Sequence, residues 1–137
     1  MTIVYQVAPA EVDRAWAEAG PLVESAFRRD DGRFDMDEVL ASLKEGRRQL
    51  WIAFEDGSRV SCALVTQIDV YPRRKVFRVF AIGGRLPAEW RRILGDLEHL
   101  AMEQGCTLSE IEGRKGWLRK LAGYRNPKVL LRKELVP

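Results

Sequence analysis

Two segments that combine glycine with a cation are where this chain could handle an anionic group. The first is Gly83-Gly84-Arg85, at the join between a strand-like run and a long amphipathic helix. N–H groups at a helix start point outward and attract phosphate, helped by the helix dipole. The Arg85 guanidinium can clamp a phosphate bidentately. The second is Gly113-Arg114-Lys115-Gly116-Trp117, in which two glycines flank a basic pair and deliver a tryptophan to a helix start. It reads either as a strand-to-helix turn that anchors Trp117 in the core or as a contact site, because Trp and Arg are enriched at binding hot spots. The single histidine, His99, has a side chain able to titrate near neutral pH. It lies mid-helix beside the Leu97–Leu100 stripe and reads as structural.

Other chemistries lack their residues. No Ser-His-Asp, Walker, zinc or dinucleotide motif is present. One histidine with Cys62 and Cys106 does not make a convincing zinc site, and both cysteines are expected to be buried free thiols in a reducing compartment. The tryptophans at 16, 51, 90 and 117 are too scattered to form a stacking platform for single-stranded nucleic acid.

At 137 residues the chain is expected to form one domain, 1–137, able to bury a real core. Hydrophobic residues at 46% and charged residues at 31% fit an ordinary soluble globular protein. No apolar run approaches the roughly 20 residues that cross a bilayer, and Met1–Tyr5 does not read as a signal peptide. The net charge of +3 hides an asymmetry. Residues 113–137 carry eight Lys or Arg against Glu134 alone, a net +7, which leaves −4 on the first 112 residues. Such a region attracts an acidic protein face, anionic cofactor phosphates or nucleic acid, or is simply a solvated basic surface.

Thr2–Val7 alternates and reads as a strand, and Ala10–Phe27 as a helix interrupted by Gly20-Pro21. After a polar loop at Arg28–Arg33, Asp35 is expected to cap a helix at Met36–Glu45, with Glu38 completing a capping box and Gly46 ending it. Leu50–Phe54, Val60–Val70 and Lys75–Ile82 then form an antiparallel meander, with turns at Asp56-Gly57 and Tyr71–Arg74. The run 75–82 is apolar on both faces, as a central covered strand must be. Helix 87–104 carries Trp90, Ile93, Leu94, Leu97, Leu100 and Ala101 at helical spacing. It is expected to cross over so that Cys106–Glu112 lies parallel to 75–82. A short helix at 117–122 and a last strand at Val129–Leu135 complete a sheet of six or seven strands.

This order of elements resembles that of the GNAT superfamily of acetyltransferases. Leu118-Arg119-Lys120-Leu121-Ala122-Gly123-Tyr124 is similar to that family's late Leu-Tyr-x-x-x-Gly-Phe segment. More narrowly, Leu50-Trp51, the short 83–86 loop and the Gly113–Trp117 segment resemble the small GNAT-like proteins of tailed bacteriophages, some of which serve in the virion or its assembly. The resemblance implies an α/β (α+β) fold: a GNAT-like mixed, mostly antiparallel sheet with helices on both faces. It implies acetyl-coenzyme A on an Arg/Gln-x-x-Gly-x-Gly/Ala loop, which would make Gly83, Gly84 and Arg85 cofactor-binding. It places candidate general bases near strand ends, at Asp69, Glu110 and Glu112. At the position of the family's proton-donating tyrosine stands Arg119, whose pKa above about 12 forbids that role. Tyr124 falls on a packing position.

The loop Gly83–Leu86 is shorter than the family motif, Pro87 has no N–H, and Glu89 puts a negative charge in the first helical turn. The expectation is therefore a non-catalytic GNAT-fold protein that acts through a protein partner or a second copy of itself, in the bacterial host cytoplasm or the virion. The alternative is an acyl-coenzyme A N-acyltransferase acting on a small-molecule or protein amine. A nucleic-acid accessory role is the third reading. The expected contact residues are Arg114, Lys115, Trp117, Arg119, Lys120 and Arg125.

Overall fold

A computed structural model describes residues 2–27, 32–55, 59–113 and 119–137. The expected turn at Asp56-Gly57, most of the loop at 28–33 and the segment Arg114–Leu118 lie outside the described residues. Five strands form one sheet: β1 (Thr2–Val7), β2 (Gln49–Glu55), β3 (Val60–Val70), β4 (Lys75–Gly84) and β5 (Cys106–Ile111). Their spatial order follows the chain, β1-β2-β3-β4-β5. Each of the first four runs antiparallel to its neighbour among them, and β5 runs parallel to β4. The parallel pair exists because α3 (Trp90–Glu103) crosses over between them.

The sheet is covered on both faces. One side of β2–β4 packs on α3, burying Trp51, Leu64, Phe77, Val79, Trp90, Ile93, Leu94 and Leu97. The other packs on α1 (Val12–Ala26) and α2 (Met36–Lys44), burying Val12, Val23, Val39, Leu43, Leu50, Ile52 and Val65. This double cover explains the apolar run along β4. Cys62 and Cys106 are buried free thiols, and burial pushes the Cys62 pKa up to about 12, so it is inert as a nucleophile.

Several expectations need correction. Among the described residues the sheet has five strands, not six or seven, because Val129–Leu135 joins no strand and stays exposed. A strand needs a neighbouring edge for its hydrogen bonds as well as a suitable side-chain pattern. α1 runs unbroken through Pro21 after a 3-10 turn at Pro9–Glu11. Burial of Ala19, Gly20 and Val23 against the sheet overrides the local preference. Only half of the capping box forms. Asp35 Oδ1 accepts from the Asp37 N–H at 2.9 Å, while the Glu38 carboxylate turns to Arg47 and Arg48.

Candidate functional site

The site begins with one extra residue in β4. Val65 of β3 faces Ala81 and Thr66 faces Val79, so Phe80 is a bulge. Two neighbours, Phe80 and Ala81, therefore both join the α1/α2 side, while Val79 and Ile82 join the α3 side. The β4–β5 ladder ends at the same place, with Val79 opposite Ile111. Bulges bend a strand and terminate pairing, and they favour functional sites. Phe80–Gly84 continues as a strand with β3 on one side and no described strand on the other. The result is a fork between the two parallel strands, whose β4 wall faces no described strand.

Gly83 and Gly84 stand at the end of this wall. A Cβ on Gly83 would lie 1.7 Å from the Leu22 carbonyl oxygen, so glycine lets α1 rest directly on β4. Gly84 has φ +91°, and a Cβ there would lie 2.4 Å from the Ser61 carbonyl oxygen. Both glycines are thus required by packing and backbone conformation. The Arg85 N–H donates to Ser61 O at 2.8 Å. Its side chain is 82% exposed, with Glu55 3.9 Å away, which leaves the guanidinium available to an anion.

The connection from β4 to α3 is Arg85–Glu89, one residue longer than the expected Gly83–Leu86 loop and set further along the chain. Three inferences from sequence change accordingly. Pro87 precedes the helix, where its carbonyl accepts from the Trp90 N–H at 3.2 Å. Glu89 caps α3 with no side-chain bond to the helix; instead its carboxylate accepts from the Thr2 N–H at 3.0 Å and from Thr2 Oγ1 at 3.1 Å. These bonds, the backbone one foremost, hold its pKa below the ordinary carboxylate range. Counted from Arg85, the motif's glycine positions fall on Ala88 and on Trp90, which is 3% exposed.

The fork also gathers carboxylates. Arg78 Nε lies 3.4 Å from Asp69 Oδ2, and Arg78 Nη2 lies 3.7 Å from Glu110 Oε1. Asp69 and Glu110 thus meet around one guanidinium, a register step before the fork opens. Asp69 Oδ1 also accepts from Gln67 Nε2, whose Oε1 accepts from Arg48 Nε. Arg48 stacks 4.3 Å above Phe80, which touches Phe27 and Phe34. Glu110, with only the 3.7 Å ion pair among the described residues, is the freer carboxylate. Glu112 is exposed at the end of β5. His99 is 70% exposed and 3.4 Å from Glu103.

Of the expected contact residues, Arg114, Lys115 and Trp117 lie outside the described residues. Arg119, Lys120 and Arg125 are exposed. Arg91 Nη2 donates to the Arg119 carbonyl at 3.2 Å, which draws this segment to the first turn of α3. Sequence reasoning missed Arg91, a surface arginine with no motif around it. It also missed the bond of the Tyr124 hydroxyl to Glu98 at 2.6 Å, shared with Ser109. Burial, followed by the Glu98 bond, raises the phenol's pKa, and the hydroxyl's two contacts tie α3 to β5.

No family model matches the chain, and no curated protein matches it. Solved structures do. An aminoglycoside acetyltransferase from an uncultured soil metagenomic sample, solved with sisomicin, superposes with a TM-score of 0.69 at 10% identity, over 99% of this chain and 97% of that one. A second soil metagenomic aminoglycoside acetyltransferase gives 0.68 at 15% identity, over 100% and 99%. A GNAT-family acetyltransferase from Staphylococcus aureus gives 0.66 at 12% identity, over 98% of each. At these identities the shared property is the arrangement of strands and helices, and on that ground the chain has a GNAT-like acetyltransferase fold.

Proposed function

We propose that the chain is an acyl-coenzyme A-dependent N-acyltransferase acting on an amine. The observation that carries this reading is the fork at Phe80, where β4 presents a free edge beside the start of α3. The residues present fit the cofactor in three respects. The free β4 edge suits an amide-bearing arm. The first-turn amides of α3, with Arg85 and Arg91, suit a pyrophosphate. Glu89, the residue that would repel it, is turned to Thr2.

Bound acetyl-coenzyme A would supply an acyl group activated as a thioester. The chain's own contribution is positioning and proton transfer. Glu110, at the closed end of the fork, takes the proton from the attacking amine as the amide bond forms and the thioester C–S bond breaks, and the departing coenzyme A thiolate would take its proton from water. Asp69 and Arg78 hold that carboxylate in place, and the Phe27–Phe34–Phe80 cluster walls the acceptor side. Aminoglycosides, the substrate class of two of the structural relatives, head the list of amines to test.

Calorimetric titration with acetyl-coenzyme A at low salt tests the reading. A low-micromolar dissociation constant that weakens about tenfold in Arg85→Ala, the loss of roughly one charge-assisted hydrogen bond, is the expected result. No heat up to millimolar cofactor would reject it.

A second reading has its own support: Ala88 and Trp90 at the motif's glycine positions, with Arg119 in place of an acid. On that reading the chain is a non-catalytic protein working through contacts, including a role in a phage particle or its assembly. A pull-down comparing the native chain with Arg119→Glu/Lys120→Glu, with and without nuclease, addresses it. A protein partner lost in the variant and indifferent to nuclease would favour contacts over catalysis.

A further inference from the structure

A chain of polar contacts runs across the sheet and ends at Glu110. It starts on α2, where Arg48 Nη1 donates to Glu38 Oε2 at 3.0 Å and to Ser42 Oγ at 3.1 Å. Ser42 is fully buried, and its hydroxyl donates to the Val39 carbonyl at 2.6 Å. The Phe80 ring lies 4.3 Å from the same guanidinium. Pinned in this way, Arg48 turns Nε to Gln67 Oε1 at 2.9 Å, and Gln67 Nε2 donates to Asp69 Oδ1 at 2.8 Å. Asp69 Oδ2 lies 3.4 Å from Arg78 Nε, and Glu110 Oε1 lies 3.7 Å from Arg78 Nη2. Strand register sets up this row, because Gln67, Arg78 and Glu110 are direct partners across β3, β4 and β5. Side-chain exposure rises along it, from 14% at Arg48 through 25% at Asp69 and 35% at Arg78 to 43% at Glu110. The fixed end is therefore inside and the open end is the candidate base.

We propose that Arg48 is a positioning residue: acting through Gln67 and Asp69, it sets where Arg78, and with it the Glu110 carboxylate, stands. The direction of each link is forced by chemistry. A guanidinium only donates, so Gln67 must offer Arg48 its carbonyl oxygen and turn its amide nitrogen to Asp69. With one Asp69 oxygen so engaged, the other faces Arg78. Arg78 Nε is buried and makes no hydrogen bond among the described residues, which makes this the loosest link. Catalytic hydrogen bonds are often long in the free protein and tighten only in the loaded complex. Without Arg48 the Gln67 amide can turn over, present its oxygen to Asp69 and break the chain at its middle link. The role of Glu110 as a base rests on the acyltransferase reading, whereas the control of its position by Arg48 does not.

NMR of the side-chain carboxyl carbons and of the Arg78 Nε–H in the free protein reads the arrangement without any cofactor. Arg48→Lys has a compact ammonium that cannot serve Glu38, Ser42 and Gln67 together. Gln67→Met keeps the length and loses the amide. Both should move the Asp69, Arg78 and Glu110 signals, whereas Arg47→Gln, which removes ion pairs to Glu38 and Glu45, should leave them in place. The double variant Arg48→Lys/Gln67→Met should match Gln67→Met alone, since residues acting in one chain are not additive. With acetyl-coenzyme A and sisomicin as the amine, kcat should fall about tenfold or more in Arg48→Lys, the scale of a misplaced reacting group, while calorimetric affinity for the cofactor stays at the native value. Arg78 and Glu110 signals indifferent to Arg48→Lys, or additive shifts in the double variant, overturn the proposal. Should Arg48→Lys fail to fold, unmoved signals in Gln67→Met overturn it equally. A native chain that acylates no amine would remove the acyltransferase reading alone, because the carboxyl signals still decide whether Arg48 sets Glu110.

Discussion

Residues 2–113 and residues 119–137 treat their hydrogen bonds and apolar surface differently. The first region pairs every strand, covers both faces of the sheet, and puts most of its large apolar side chains into two cores. The second gives the core Leu121 and part of Tyr124, then leaves five aliphatic residues in solvent. Both regions carry clear strand signals. A hydrophobic pattern describes what a segment has to bury, whereas a strand also requires an edge to bond to, and among the described residues only the segments of the first region find one.

The largest expected effect on that comparison comes from Trp90, 3% exposed against the sheet. Trp90→Ala should cost about 3–5 kcal/mol in denaturant unfolding. Trp90→Phe should cost far less, because the indole N–H has no hydrogen-bond partner among the described residues. An unchanged melt for Trp90→Ala would break the comparison by showing that the first region is not anchored there.

Gly83→Ala comes next. The added methyl meets the Leu22 carbonyl oxygen at 1.7 Å, so α1 must move off β4. The cost should reach the upper part of the roughly 1–3 kcal/mol typical of overpacking. Any acetyl-coenzyme A binding should weaken in step with the thermal midpoint, since the same strand end lines the fork. Full stability in this variant would mean that α1 does not rest on β4 as described.

Tyr124→Phe probes the junction of the two regions. It removes the hydroxyl that ties Glu98 to Ser109 and should cost about 1–2 kcal/mol. It should also speed exchange in β5 without affecting β1–β3. Equal effects throughout the sheet would show that the C-terminal region is fully integrated with the first.

The smallest effect belongs to Glu89. Its carboxyl pKa is depressed in the folded chain by the Thr2 N–H first and the Thr2 hydroxyl second. Its contribution is therefore present above the unfolded-state value and is lost as pH falls through the lower folded value. Glu89→Gln should flatten the acid limb of a plot of melting temperature against pH. An unaltered acid limb would show that β1 is not held at this point.

Much of the fold was legible because the signals were local and agreed with one another. β4 is apolar on both faces, α3 has a clean helical stripe, and Gly46 and Gly105 fall where positive φ values of 77° and 89° end their helices. The parallel placement of β5 followed from the length of the crossover. The site was legible only in part. Arg85 stood out as a cation beside glycines, and Asp69 and Glu110 as acids near strand ends. Their meeting around Arg78 depends on strand register, which the pattern of one strand does not reveal.

By itself, then, the sequence determined which segments are apolar on one face or on two, where helices end, and where charge collects, because these depend on the side chains and backbone preferences of near neighbours. Tertiary structure alone decided the rest. The bulge at Phe80 arises from the fit of β4 to β3. The five-residue connection to α3 arises from where Trp90 reaches the core. The turning of Glu89 to Thr2 depends on a contact 87 positions away along the chain. Each of these is settled by the competition of distant groups for the same space and the same hydrogen bonds, which no local stretch of sequence encodes.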